Sequence, residues 1–564
     1  MAMQGFVDWK GEPIEHARHG GARAVLFIYI MAMITDMSCA PIYITMINYL
    51  HGTLDMDLAS TSTTITNFIA ATCGFALLGG FISDAYITRF QTLLHFCPLM
   101  FIGQALLALH ATFLSLSPLD CGIPEKYKLV HGVNTSILHM GLYTLAFGEA
   151  FLRANLPPFG ADQFDDTEIF SSRSKSSYFN WLSFICTGGS IIGLILVDWI
   201  QNHRGWVEAF VASATLMGLG LVVLTSGFRF YRNQIPSGSP LTRILQVFVA
   251  AFRKRKLPLP PIGGLHQNIS SEEMMGEVLE HTMDFRFLDK AAISCGMTPS
   301  KWSLCTVTQV EEAKIVLRML PIFISTVFAY IPMHLLVNFS LLQTNTMSST
   351  RLGTFYDSPV SILAFLSALQ MVFIVVYDQL LVPLAKMITG YQTGITRLQR
   401  VGVGFMVVPL AMCIAAMMER ERKRIAEDYD LIDSKNAYLP MSTWLGLQYF
   451  AIVIFGVFTY IGLLEFFNSE TSRGMKSMGS AMFNCMIGLS SLLSSVLVNV
   501  LKNACRDGDD GRNGWMEGNN LNKTYLDRFY WLLSLFSLVG FLNYLYWANK
   551  YVYKRNRLTL FQNG

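Results

Sequence analysis

Along this chain the apolar positions come in long runs rather than in alternation. A helix needs about 20 predominantly apolar residues to cross about 30 Å of hydrocarbon. Twelve stretches meet that length. Six lie near 24–50, 62–83, 91–116, 135–156, 176–200 and 206–230, and six near 313–340, 357–385, 396–418, 442–467, 478–501 and 526–549. The pattern predicts an all-α membrane protein with twelve transmembrane helices in two six-helix halves. The fourth run is the most interrupted, because charge and a Pro-Pro pair stand near its end.

Basic residues orient the runs. Lys10, Arg18 and Arg23 precede the first, whereas the following loop, 51–60, has neither Lys nor Arg. That asymmetry places the N-terminus in the cytoplasm. Twelve crossings return the C-terminus to the same side, in keeping with Lys550, Lys554, Arg555 and Arg557. The expected organisation is an N-terminal segment (1–23), a first half (24–230), a cytoplasmic linker (231–312), a second half (313–549) and a cytoplasmic tail (550–564). Within the linker, Leu241, Ile244, Leu245, Phe248 and Phe252 recur at helical spacing beside a basic RKRK at 253–256. This predicts an amphipathic helix, either lying on the membrane surface or ordering the linker. The first apolar run is too long for a cleavable leader, so it is expected to be retained.

Composition narrows the function. With 52% hydrophobic residues, 14% charged ones and a mean hydropathy of +0.40, the chain does not read as an ordinary soluble enzyme. A net charge of +3, clustered at run ends, argues against a nucleic-acid partner and for a lipid bilayer. No GxxxxGK[ST] loop occurs, so ATP-driven transport has no engine here. No nucleophile-base arrangement suggests an enzyme, and no cofactor or metal is called for. The ten cysteines form no CxxC pair. Cys121 and Cys505, both expected on the outer side, leave a bridge open. Sequons at Asn134 and Asn522 fall outside by this topology, and one at Asn268 falls inside.

The ionisable residues inside the runs carry the chemistry. A charge at the bilayer centre costs about 2.5 to 3.5 kcal/mol on insertion scales, so it faces a polar cavity or a partner. Asp36 lies about 18 Å into the first run at the usual helical rise, with Ala32 and Ala40 leaving space one turn away on either side. Glu149 and Arg153 sit four apart on one helical face, and Pro157 removes the donor for the carbonyl of Arg153. Glu465 lies near the inner end of the tenth run, and His334 lies in the seventh. Each has a plainer alternative: a self-neutralised pair, a local hydrogen bond to Ser or Thr, a solvated interfacial acid, a packed histidine. Together they suggest a polar central cavity. Asp84 with Arg89, and Asp378 with Lys386, stand at comparable ends of the second and eighth runs. They suit either a gating latch between halves or interfacial anchors.

The segments FGADQFDD (159–166), SSYFNWLSF (176–184), FRFLDKAAI (285–293), TVTQVEEAKIVLRMLPIF (306–323), GITRLQRVGVG (394–404) and GLLEFF (462–467) resemble the plant nitrate transporter 1/peptide transporter family of the major facilitator superfamily. LIDSKNAYLPMSTWLGLQYF (431–450) is most similar to its fourth subfamily, which is associated with abscisic acid, gibberellins and nitrate. The resemblance implies a proton-coupled symporter working by alternating access on small-molecule anions. It also implies a helix 1 Glu-x-x-Glu-Arg motif, whose positions are here Ala32, Thr35 and Asp36. Both coupling acids are gone and the base has become an acid. Arg153 stands for the family's basic residue on helix 4, Glu465 for a substrate-site acid, and His334 lies near a substrate-contacting position. An Arg is a fixed charge and a poor proton carrier, so altered proton coupling is expected. Asp36, Glu149 or Glu465 would have to serve as the titrating group. A carrier of specialised metabolites or peptides, and a nontransporting sensor or scaffold, remain alternatives. The plasma membrane is the expected location, with the vacuolar membrane as the alternative.

Overall fold

The computed structural model describes residues 6–14, 19–54, 58–116, 124–164, 171–236, 238–258, 279, 281–294, 302–344, 359–390, 393–429, 445–504 and 525–553. Cys121, Cys505, Asn268 and Asn522 lie outside them, as does the side chain of Asn134. Six long helices precede the linker: α1 (Gly21–Ile47), α2 (Leu58–Ala85), α3 (Arg89–Leu116), α4 (Pro124–Ala161), α5 (Ser171–Arg204) and α6 (Trp206–Ser226). The linker carries α7 (Pro240–Arg253). Six more spans follow: α8 (Val307–Thr344); α9 (Pro359–Val376), continuing into α10 (Val382–Thr389); α11 (Arg397–Asp428); α12 (Leu445–Phe455), continuing into α13 (Ile461–Glu470); α14 (Lys476–Ala504); and α15 (Leu526–Lys550).

Eleven of these spans are apolar and long enough to cross a bilayer among the described residues. The twelfth, α4, falls short on apolarity because it carries Glu149, Arg153 and neighbouring polar residues, yet it is 38 residues long. It runs through Pro157 and Pro158 without ending, further than the run at 135–156 predicts. Helices suit this solvent because they satisfy their own backbone groups where water is absent.

Two spans are interrupted where the sequence pattern shows a continuous run. A π-helical turn at Tyr377–Leu381 joins α9 to α10, and another at Gly456–Tyr460 joins α12 to α13. Such turns insert an extra residue into the helical ladder and often mark functional positions.

Close packing in the first half sets the level of the site. Gly189 and Gly193 stand four apart on α5, and a Cβ at either would run into the backbone carbonyl oxygen of Met33 or Met37 on α1. Small residues at this spacing let two helix backbones approach directly. The approach seats Cys186 and Thr187 of α5 in the same cavity wall as Asp36 of α1.

At one end of the bundle the N-terminal segment folds onto the start of the linker. Strand β1 (Phe6–Val7) pairs antiparallel with β2 (Asn233–Gln234), with Phe6 opposite Gln234. The Gly20 amide donates to the carbonyl of Phe230, and Gly21 to that of Gln163. This is called the linker end below. Helix α7 forms where the apolar spacing predicts it, capped by Ser239, whose hydroxyl oxygen accepts from the Thr242 amide at 3.2 Å. It buries Val247, Ala250 and Ala251 against Leu288, Ala291 and the first turns of α8. Leu241, Leu245 and Phe252 remain exposed on it.

Candidate functional site: a central cavity between the halves

A cavity of about 570 Å³ lies between the halves. Helices α1, α4 and α5 line one side, and α8, α9, α12, α13 and α14 line the other, together with the π-turn at Gly456–Tyr460. Among the described residues its charges all come from the first half. Asp36, Glu149 and Arg153 line it, whereas the second half offers Tyr330, His334, Asn338, Gln370, Tyr460 and Asn484 among its polar groups. One wall is therefore ionic, and the other is aromatic and amide-bearing.

The guanidinium of Arg153 donates through Nε to Glu149 Oε1 at 2.8 Å, and its terminal nitrogen lies 2.7 Å from the same oxygen. Tyr43 donates its hydroxyl to Glu149 Oε2 at 2.7 Å, and the guanidinium carbon lies 5.6 Å from the Tyr43 ring centre. Both Glu149 oxygens are thus engaged, and its side chain is 2% exposed against 37% for Arg153. The acid is a fixed counter-ion, and the base keeps an open face toward the cavity. Asp36 has no basic nitrogen within ion-pair distance among the described residues. The thiol of Cys186 lies beside it, and Arg153 and Glu149 act on it only through their fields.

His334 also lines the cavity, with Nε2 3.0 Å from the hydroxyl of Ser490. Glu465, expected at the substrate site, is absent from the lining. Its carboxylate accepts from Arg397 at 3.1 Å, Arg400 at 3.3 Å and Ser176 at 3.1 Å. The reason is helical phase: α13 turns Leu464 to the cavity and Glu465 away from it, toward α11 and α5.

The expected gating residues fall in two polar clusters at the linker end, each of which joins the halves. In the first, Arg89 bonds Asp84 at 3.0 Å, Asp162, and the hydroxyl of Ser477 at 2.7 Å. Lys476 reaches Asp162 at 2.8 Å, and the Met478 amide donates to Asp84 at 3.0 Å. Burial alone would raise the Asp162 carboxyl, but Arg89 and Lys476 outweigh it and hold the group below the ordinary carboxylate range. In the second cluster, Asp378 accepts from Ser177 at 3.2 Å and from Asn180 at 3.0 Å, while Arg400 donates to Asn180 at 2.8 Å. Lys386, which the sequence repeat sets beside Asp378 at the end of the eighth run, is exposed. Together the clusters bridge α2, α3, α4 and α5 to α11, α13, α14 and the π-turn after α9.

Sequence reasoning missed Tyr43, Cys186, Asp162, Lys476, Arg397 and Arg400. Tyr43 carried a usable signal, since it stands seven residues after Asp36 on the same helical face. Asp162, Arg397 and Arg400 sit inside the FGADQFDD and GITRLQR segments. Cys186 and Lys476 had no local signal. A different cluster, His281, Asp289 and Glu311, brings possible metal-ligand atoms within 4.8 Å of one another. The buried ammonium of Lys314, 2.7 Å from Asp289 and 2.8 Å from Glu311, already supplies its positive charge.

Twelve spanning helices and a charged cavity between two halves define a membrane transporter. The chain belongs to the POT family: the family model PTR2 matches residues 90–516. It is 36% identical over 558 residues to Protein NRT1/ PTR FAMILY 4.3 of Arabidopsis thaliana, covering 97% of this chain and 93% of that one. It is 35% identical to NRT1/ PTR FAMILY 4.4 and 35% identical to NRT1/ PTR FAMILY 8.2 of the same plant, with 97% and 98% of this chain and 90% and 97% of theirs covered. Its fold matches the crystal structure of the POT family transporter PepTSo, with a TM-score of 0.59 at 16% identity, over 94% of this chain and 98% of that one. A POT family transporter in complex with 5-aminolevulinic acid matches with a TM-score of 0.57 at 11% identity, over 94% and 97%.

Proposed function

We propose that this protein carries a small organic anion across a membrane by alternating access, with Arg153 as the anion anchor and Asp36 as the site of proton coupling. The carrying observation is the unequal exposure of the Glu149–Arg153 pair: the acid is enclosed and doubly bonded, while the guanidinium keeps an open face in the cavity. A carboxylate docking on that face would gain charge-assisted hydrogen bonds. Opposite it, the aromatic and amide wall suits an apolar body, which favours a hormone-like carboxylic acid such as abscisic acid or a gibberellin. Nitrate, a specialised metabolite and a peptide are the competing cargoes.

Charge balance supports the coupling. Two carboxylates against one guanidinium leave the cavity with one excess negative charge, so a monovalent anion binds best when one acid is protonated. Glu149 is committed to Arg153 and Tyr43, which leaves Asp36. Coupling through a single carboxylate replaces the two glutamates that the resemblance implies, and gives weaker acid stimulation. The linker end is assigned to the cytoplasm, with the plasma membrane as the location and the vacuolar membrane as the alternative.

The test is uptake of a panel of hormones, nitrate, dipeptides and glycosides, in oocytes, at acidic and neutral external pH. Carboxylate uptake with modest acid stimulation that Asp36→Asn abolishes supports the reading. Stimulation surviving Asp36→Asn overturns the proton assignment. Binding without flux in reconstituted vesicles points to a sensor or scaffold instead.

A further inference from the structure

We infer that Ser176 is a phosphorylation site whose modification holds the second latch open, an inference that rests on the linker end facing the cytoplasm as proposed above. Ser176 follows Arg173 and Lys175, three and one positions upstream. Basic residues at those positions are what serine kinases of the basic-directed class bind with acidic subsites. The Ser176 hydroxyl donates to Glu465 across the junction of the halves at 3.1 Å, and its neighbour Ser177 donates to Asp378 at 3.2 Å.

The co-reactant is ATP, brought by the kinase. Ser176 Oγ attacks the γ-phosphorus, the bond from that phosphorus to the β-phosphate oxygen breaks, the hydroxyl proton passes to the kinase's base, and ADP leaves. The hydrogen that Glu465 accepts is thereby lost, and a group carrying about −1.5 to −2 charges takes its place. An ionised carboxylate accepts hydrogen bonds and donates none, so the new group meets Glu465 as a like charge.

The neighbouring bases are already committed. Arg397 is divided between Glu465 at 3.1 Å and Glu470 at 3.5 Å. Arg400 is held by Glu465, by Asn180 and by the Val457 carbonyl, and stacks on Tyr377 with its guanidinium carbon 4.2 Å from the ring centre. Glu465 and Arg400 are both buried in the closed latch, which leaves no room for a phosphate unless the halves part. Ser176 is itself half-buried there. The kinase therefore reaches it after the linker end has opened, and the modification holds the carrier in that state and slows its return.

The experiment treats purified full-length protein with ATP and a basic-directed serine kinase, locates phosphate by mass spectrometry, and then measures uptake after reconstitution. Phosphate on Ser176, at least about a tenfold fall in uptake that phosphatase reverses, and no kinase effect on the uptake of Ser176→Ala relative to its own untreated sample are the expected results. No phosphate on Ser176, even in a latch-weakened Glu465→Gln variant, overturns the inference. So does uptake that is unchanged or faster after modification. If the untreated protein takes up nothing, the carrier reading fails instead. Parting of the halves at the linker end is then read as maleimide labelling of Ser477→Cys, above that of the chain's own cysteines, that increases after phosphorylation, and unchanged labelling overturns the inference.

Discussion

Arg153 pairs with Glu149, its neighbour one turn earlier on α4, at 2.7 Å, and not with Asp36, although all three residues face one cavity. Asp36 and Arg153 do not lock α1 to α4, so the α1 carboxylate is available to a proton or to a ligand.

Substituting Glu149 should change that relationship. In Glu149→Gln the guanidinium loses its enclosed counter-ion, and Asp36 becomes the nearest acid available to it. Removing one member of a buried pair costs about 3 to 5 kcal/mol, and the open face of Arg153 reduces this through solvent screening. The expected result is a folded protein whose uptake falls at least about tenfold, equivalent to about 1.4 kcal/mol, at both acidic and neutral pH. Detergent-extracted monodispersity checks the folding, and uptake at two pH values checks the lock. Normal uptake at either pH would refute it.

Arg153 itself should be read through substrate affinity. A hydrogen bond to a charged group contributes about 1.5 to 3 kcal/mol, so Arg153→Gln should raise the KM for a carboxylate about tenfold to about a hundredfold. Arg153→Lys keeps the charge but loses the planar fork shared between Glu149 and the cavity, and should fall between the two. Competition by a neutral ester of the same substrate should be equally weak against all three proteins.

The contribution of Asp162 to the first latch should be insensitive to pH in the working range. Asp162 is held below the ordinary carboxylate range by Arg89 and Lys476. A depressed folded pKa means that its contribution is fully present above the ordinary carboxylate range and is lost only as pH falls through the lowered value. Between about pH 5 and about pH 8 the contribution of Asp162 therefore stays constant. Asp162→Asn should alter the turnover rate by the same factor across that interval, whereas Asp36→Asn should remove what pH dependence there is. A pH-dependent effect of Asp162→Asn on turnover would contradict this assignment.

The sequence showed the number of spans, the linker helix and the candidate charges because each depends on local information. Apolar run length identifies a span, and the spacing of Leu241, Leu245 and Phe252 identifies a helix face. What it concealed depends on rotation about a helix axis and on partners distant in sequence. Glu465 and Leu464 are adjacent, yet only Leu464 reaches the cavity, because the π-turn at Gly456–Tyr460 resets the phase of α13. Lys476 lies 314 residues from Asp162 and could be matched to it only by folding. The repeat places Asp84 and Asp378 at comparable helix ends, but the partners of Asp378, Ser177 and Asn180, lie about 200 residues away on α5 and carry no local signal.

Backbone contact between α5 and α1 makes the last prediction the most sensitive to packing. Gly189 and Gly193 leave no space for a Cβ against the carbonyls of Met33 and Met37, and these obstacles are backbone atoms that cannot rotate away. Overpacking of this kind typically costs about 1 to 3 kcal/mol. In Gly193→Val the two helices must separate, which moves Cys186 away from Asp36 and widens the ionic wall of the cavity. Thermal unfolding in detergent should shift down, and uptake should fall more than surface abundance does. A control at Gly188, where a Cβ would meet only the flexible end of Met371 at 3.2 Å, should be far milder as Gly188→Ala. Equal loss in both variants would mean that the close approach of α5 to α1 does not govern this part of the site.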